Sequence, residues 1–278
     1  MILSKAVIFA AGSICALLAN VIISVKLPKI SRADIPVDNL PEHIEGLRIM
    51  HISDIHNESM FDISVNIWKN LFEEDFDIAV ITGDMTKEYF DHVLPLRKPL
   101  TRLAGRAPVF FVDGNHEKAH FREMKRFLES CGITVLDDRK VSLEIGGGSL
   151  EILGIRDYYY QRRHNFRAFK RLMEDEVVCG FRILLSHQPQ IIEKLTQFRD
   201  ILVLSGHTHG GQIRLPFIDT LVAPGQGFFP KYGDGFYKVK NCYLYVSRGI
   251  GASRIPIRFF NRPEVAVLKL KRCTGGGL

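Results

Sequence analysis

The sequence predicts an α/β domain of two stacked mixed β-sheets flanked by helices, set behind one N-terminal apolar helix. Three observations predict it. Short continuous apolar runs alternate with stretches of helical period, as expected for strands covered on both faces. A glycine-centred hairpin and two late apolar runs break that alternation, which calls for a second sheet. Five polar blocks each fall at the end of an apolar run.

Residues 6–25 carry no charge, and Ser13, Asn20 and Ser24 are their only clearly polar members. Twenty helical residues rise about 30 Å, the thickness of a hydrocarbon core. The segment therefore reads as a single-pass membrane anchor over residues 1–32. A signal peptide competes with that reading, but the run is long for one and no small-x-small cleavage site follows. Lys5 precedes the run, and Lys26, Lys29 and Arg32 follow it, a balance too even to fix the side of the membrane. Residues 33–45 contain Pro36 and Pro41 and little periodicity, so they read as a linker.

The domain is expected over residues 46–271. Strands are predicted at 47–52, 77–82, 108–112, 181–185 and 201–204, with helices at 63–74, 90–103, 120–131, 166–176 and 191–198. In the third helix Phe121, Met124, Leu128 and Cys131 make one apolar stripe, read as core packing. Residues 141–145 and 150–153 flank Gly146-Gly147-Gly148 and read as a hairpin. Further strands are expected at 242–246 and 265–270, before a tail over 272–278.

Composition narrows the class of protein. With 278 residues, 46% of them hydrophobic, the chain can bury a full core without disulfides or a structural metal. Five scattered cysteines without CxxC spacing read as free thiols. A net charge of +6 suits an anionic partner. No recognised nucleic-acid motif is present, so a nucleic-acid partner is not expected, and no feature marks an obligate protein partner.

The polar blocks carry the chemistry. They are Asp54-Ile55-His56, Gly83-Asp84, Gly114-Asn115-His116, Ser186-His187 and Gly206-His207-Thr208-His209. Taken singly, Gly83-Asp84 and Gly114-Asn115 are ordinary turns, and His187 is an ordinary buried histidine. Taken together they place two Asp, one Asn and five His at strand carboxyl ends, where α/β sheets bind ligands. Carboxylates and imidazoles crowded there are costly without cations. Oxygen and nitrogen donors without cysteine favour Mn²⁺, Fe or Zn²⁺.

These blocks, in this order, resemble the calcineurin-like metallophosphoesterases, whose pattern is DxH, GD, GNH[DE], an isolated H and GHxH. The resemblance covers roughly residues 46–271. Gly206–Gln212, Ser247–Gly251 and Asn261–Glu264 look like a bacterial branch that carries an N-terminal membrane or signal segment. Glu117 stands where many members have Asp. The resemblance implies two divalent cations. Asp54, His56 and His209 would hold the first, and Asn115, His187 and His207 the second. Asp84 would bridge both, and His116 would lie near the leaving-group oxygen. Such cations acidify a water and neutralise charge on a phosphoryl group.

Some members of that branch hydrolyse UDP-2,3-diacylglucosamine. The resemblance therefore implies a phosphohydrolase acting on a phosphodiester or pyrophosphate bond, with a phosphorylated small molecule or lipid as substrate. The alternatives are a nuclease or nucleotide phosphodiesterase, and a metal-binding membrane protein without catalysis. Arg214 and Arg248 follow glycine-rich turns and are candidate substrate contacts. The basic, aromatic stretch 158–171 suits either a phosphate clamp or a solvated helix, and the helix with a Phe166–Phe169–Leu172 core stripe is favoured.

Overall fold

A computed structural model describes residues 27–57, 64–157, 165–174, 180–211, 213–215, 218–223, 226–251 and 258–273. The expected N-terminal apolar helix, residues 158–164 of the basic stretch and most of the tail lie outside them. Among the described residues no helix is long and apolar enough to cross a membrane.

Strands β1 (Lys29–Val37), β2 (Arg48–Ile52), β3 (Ile78–Thr82), β4 (Val109–Val112) and β5 (Thr134–Val135) belong to a first sheet. Three helices accompany them: α1 (Ser64–Leu71), α2 (Arg97–Ala104) and α3 (Phe121–Ser130). The hairpin β6 (Arg139–Ile145) and β7 (Gly148–Ile155) opens a second sheet. Helix α4 (Asn165–Glu174), β8 (Arg182–Ser186) and β9 (Ile201–Ser205) follow. A small sheet holds β10 (Ile213–Leu215), β11 (Ile218–Ala223) and β12 (Gly227–Phe228). Strands β13 (Gly235–Val239) and β14 (Cys242–Val246) return to the second sheet, and β15 (Glu264–Arg272) to the first.

The first sheet runs β1-β15-β2-β3-β4-β5, and the second runs β13-β14-β9-β8-β7-β6. Both are mixed, as the sequence predicts. In the first, β2 to β5 are parallel and β15 opposes β2. In the second, β14, β9, β8 and β7 are parallel, with antiparallel edges β13 and β6.

Side-chain alternation explains the layers. Ile49, Ile78, Val80, Phe110 and Val112 meet Ile152, Ile183, Leu185, Leu202 and Leu204 between the sheets. Met50, Ile52, Ile81 and Phe111 face the other way, onto α1, α2 and α3, where Phe121, Met124, Leu128 and Cys131 are all buried. The outer face of the second sheet packs on Phe169, Met173 and residues 189–195, as the core-stripe reading of α4 requires at Phe169.

Two expectations are corrected. The segment read as anchor boundary and linker holds β1, a nine-residue strand parallel to β15. Its Ile35 and Val37 are fully buried in the core between the sheets. Pro36 disguised the strand, yet β1 is an edge, where a missing N–H costs no ladder bond. The helices expected at 90–103 and 191–198 begin or remain as 3₁₀ turns, at Phe90–Leu96 and Pro189–Leu195. In the first, Pro95 removes an N–H from the ladder, and α2 starts at Arg97.

Candidate metal centre

The carboxyl ends of β2, β3, β4, β8 and β9 lie at one end of the stacked sheets, and the five polar blocks follow them there. Three of the five blocks turn sharply through left-handed residues to aim side chains inward. Asp54, His56, Asp84, His207 and His209 all hold left-handed backbone, with φ of 49°, 45°, 53°, 71° and 52°. Each such residue costs on the order of 1 kcal/mol or more and is kept only where its surroundings fix it. Two glycines permit the crowding. A Cβ on Gly114 would fall 2.2 Å from Asp84 Oδ1, and one on Gly206 would fall 1.9 Å from Ser53 Oγ.

Three sets of donor atoms converge, each within 4.8 Å: Asp54, His56 and His209; His56, Asp84 and His116; Asp84, His187 and His207. His56 Nε2 is 3.1 Å from His209 Nε2, and His187 Nε2 is 3.2 Å from His207 Nδ1. Asp84 Oδ2 lies between the pairs, 3.8 Å from His56 Nε2 and 3.1 Å from His187 Nε2. Asn115 Oδ1 is buried with no hydrogen-bond partner. Acceptors thus face acceptors with too few protons between them, the condition a cation relieves. The donor set fits divalent cations. Among the described residues no cysteine joins it: Cys131 and Cys242 are buried in the core clusters, and Cys273 is exposed.

The electrostatics agree with that chemistry. Burial pushes Asp54 up to about 6, aided by Asp84 and opposed by His187. Burial would also raise Asp84, but the charge and hydrogen bond of His187, with His56 and His116, hold it well below the usual carboxylate range. Burial lowers His56 to about 4 and His207 to about 3, so both imidazoles are neutral and able to bind cations. Burial would lower His187, but the charge and hydrogen bond of Asp84, with Asp54 and Asp157, together hold it well above 6.5.

A surrounding layer orients these groups. His187 Nδ1 donates to Thr82 O at 2.7 Å, which turns Nε2 toward Asp84. Ser53 Oγ donates to Asp54 Oδ2 at 2.6 Å. The Asp54 loop is tied to the Ser247–Gly251 turn by Ile250 N to Ser53 O and Gly251 N to Asp54 O. His116 Nδ1 donates to Lys87 O at 2.5 Å, leaving Nε2 3.9 Å from Asp84 Oδ2.

Sequence reasoning missed several members of this layer. Glu117 accepts from the backbone N–H of Asp84, Met85 and Gly114 at 2.9, 2.7 and 2.7 Å, so one buried carboxylate joins two ligand loops. Burial and Asp84 push it up to about 8, against those three donors. Arg258 is 1% exposed and donates to Arg248 O and Gly251 O, with Nη2 3.3 Å from His209 Nδ1. Asn261 Nδ2 donates to His209 O at 2.6 Å. Its place in the Asn261–Glu264 motif was the available signal. Arg214 and Arg248 come together, both donating to Asp234 Oδ2, the second at 2.7 Å.

Comparisons with known proteins agree. Residues 47–211 match the family model described as calcineurin-like phosphoesterase. The chain is 31% identical over 242 residues to YkuE of Bacillus subtilis, an uncharacterized metallophosphoesterase, covering 84% of this chain and 82% of that protein. It is 34% identical to an uncharacterized metallophosphoesterase of Helicobacter pylori, covering 87% of this chain and 64% of that one. It is 32% identical to a transmembrane protein with metallophosphoesterase domain of Danio rerio, covering 88% of this chain and 58% of that one. The chain thus spans less than two thirds of the latter two relatives. By its family match, its identity to these relatives and its clustered donors, this chain belongs to the calcineurin-like phosphoesterases and is a metal-dependent phosphoester hydrolase.

Proposed function

We propose that the chain holds two divalent cations and cleaves a phosphodiester or pyrophosphate bond, in a lipid or envelope precursor such as UDP-2,3-diacylglucosamine. Asp54, His56 and His209 serve the first cation, Asn115, His187 and His207 the second, and Asp84 both. The observation that carries this reading is the position of Asp84 Oδ2, within 4 Å of nitrogens from both sets. Mn²⁺, Fe and Zn²⁺ all suit these donors. When bound, such cations supply Lewis acidity and lower the pKa of a coordinated water.

The residues supply the rest. Two carboxylates against two divalent cations leave a net positive site, which favours a phosphoryl anion. Asn115 adds a donor without adding negative charge. His116 is the general acid, its Nε2 facing Asp84 while Lys87 O fixes Nδ1–H. Arg214 and Arg248, joined on Asp234, contact the substrate beyond the scissile phosphate. Residues 6–25 anchor the chain in a membrane, in keeping with the name of the Danio rerio relative.

The test is hydrolysis of bis-p-nitrophenyl phosphate and p-nitrophenyl phosphate by Mn²⁺-loaded protein. The diester should turn over faster than the monoester. His116→Ala should lower turnover by about 10²–10⁴-fold. No turnover of either ester, with metal bound, would contradict the diester reading and favour a non-catalytic role.

A further inference from the structure

The point where the chain enters the first sheet lies at the same end of the molecule as the candidate metal centre. Strand β15 opposes β2, with Ala266 opposite His51, so its first residue, Glu264, stands at the carboxyl end of β2 beside the Asp54 loop. Strand β1 is parallel to β15, with Lys29 opposite Glu264. The chain therefore enters the first sheet at the end that carries the candidate ligands. Lys29 N donates to Pro263 O and Arg262 Nε to Leu27 O, both at 2.9 Å, which pins the entry point there. The uncharged run 6–25 joins the domain directly before that point.

Exposed aromatic side chains, the aromatic rim, stand on the Phe260 turn next to the entry and on the small sheet joined to that turn. Phe228, Phe229 and Phe260 are 75%, 69% and 50% exposed, and Leu27 is 52% exposed. Phe229 and Phe260 hold left-handed backbone, φ 51° and 50°, a strained state for bulky residues. The rim is seated on the ligand loops. Thr208 Oγ1 donates to Gly233 O at 2.6 Å, and a Cβ on Gly211 would fall 1.6 Å from Thr220 Cγ2 in β11, the neighbour of β12. Arg214 N in β10 donates to Phe259 O, which joins the small sheet to the Phe260 turn. Lys29 and Arg262 at the chain entry add positive charge that complements anionic headgroups, as does exposed Lys231, two residues beyond Phe229 and paired with Glu193.

We propose that Phe228, Phe229 and Phe260 dock on the surface of a lipid bilayer, so that the metal centre faces the membrane and receives an amphiphilic substrate from it. Exposed aromatic clusters bordered by cationic side chains suit the headgroup boundary. The location of the chain entry decides between a bilayer and a protein partner. This inference rests on the reading of residues 6–25 as a membrane anchor, and the experiment separates the two.

The full chain is reconstituted with vesicles of phosphatidylglycerol and acyl-brominated phosphatidylcholine and first floated on a density gradient. Tryptophan emission is then compared for Phe228→Trp, Phe229→Trp and Asp75→Trp. Asp75 is exposed just before β3, at the opposite end of the strands, and buried Trp68 gives a common background. Docking predicts a blue shift and loss of most of the added emission for the two rim variants only. Flotation without rim quenching would overturn docking while the anchor stands. A chain that does not float would overturn both. A blue shift that appears without vesicles and grows with protein concentration would assign the rim to a second copy and overturn docking.

Discussion

Glu117 is the residue on which two candidate ligand loops hang. Its carboxylate takes three backbone N–H groups, from Asp84, Met85 and Gly114, yet it belongs to none of the three donor sets. Glu117→Gln keeps the size but turns an amide NH₂ toward backbone N–H donors. Cation affinity should fall by about 10–100-fold, as for other residues that orient metal ligands. Titration calorimetry with Mn²⁺ checks this, and an unchanged Kd would refute the role. At this scale the Asp and His side chains that cluster were legible, because those residue types carry their chemistry in their identity. The supporting residues were not. Glu117 falls inside the GNH[DE] block, but its bonds to Asp84 and Met85, like those of Arg258, join loops distant in sequence, which no local pattern records. The left-handed backbone at Asp54, His56, Asp84, His207 and His209 was also hidden, since no glycine marks it.

The strands carry these residues on a rigid frame. In β4 Phe110 packs between the sheets and Phe111 packs under the helices, both buried, immediately before the Asn115 loop. Phe111→Ala should destabilise the protein by about 3–5 kcal/mol, the usual cost of an emptied aromatic site. Denaturant unfolding measures it, and a loss below about 1 kcal/mol would mean the helices collapse onto the cavity. Central strands were read correctly because both faces are covered and apolar runs are continuous. The hairpin at Gly146-Gly147-Gly148 was read from its turn. Strand β1 was missed because Pro36 and charged exposed positions mask the buried Ile35 and Val37. The small sheet was missed because its strands are two to six residues long.

Across the whole molecule, buried polar side chains sit beside the apolar core near the ligand end of the sheets. His51 is fully buried there, 2.9 Å from Thr82 Oγ1 and edge-on to Tyr245. Burial lowers it to about 3 from 6.5. The unfolded chain therefore gains this proton as pH falls through 6.5, and the native chain does not until about 3. Stability is full above 6.5 and is lost progressively between those values, by on the order of 4 kcal/mol. His51→Gln should flatten that part of the stability–pH curve, measured by urea unfolding at several pH values. Equal slopes in variant and wild type would exclude His51 as the source. The same stacking brings loops from both sheets to one end and supports the central proposal, two cations sharing Asp84. Electron paramagnetic resonance of the Mn²⁺-loaded full chain tests it most directly. The account predicts two Mn²⁺ per chain with an exchange-coupled spectrum that Asp84→Asn abolishes; a single, isolated Mn²⁺ spectrum in the wild type at saturation would contradict it.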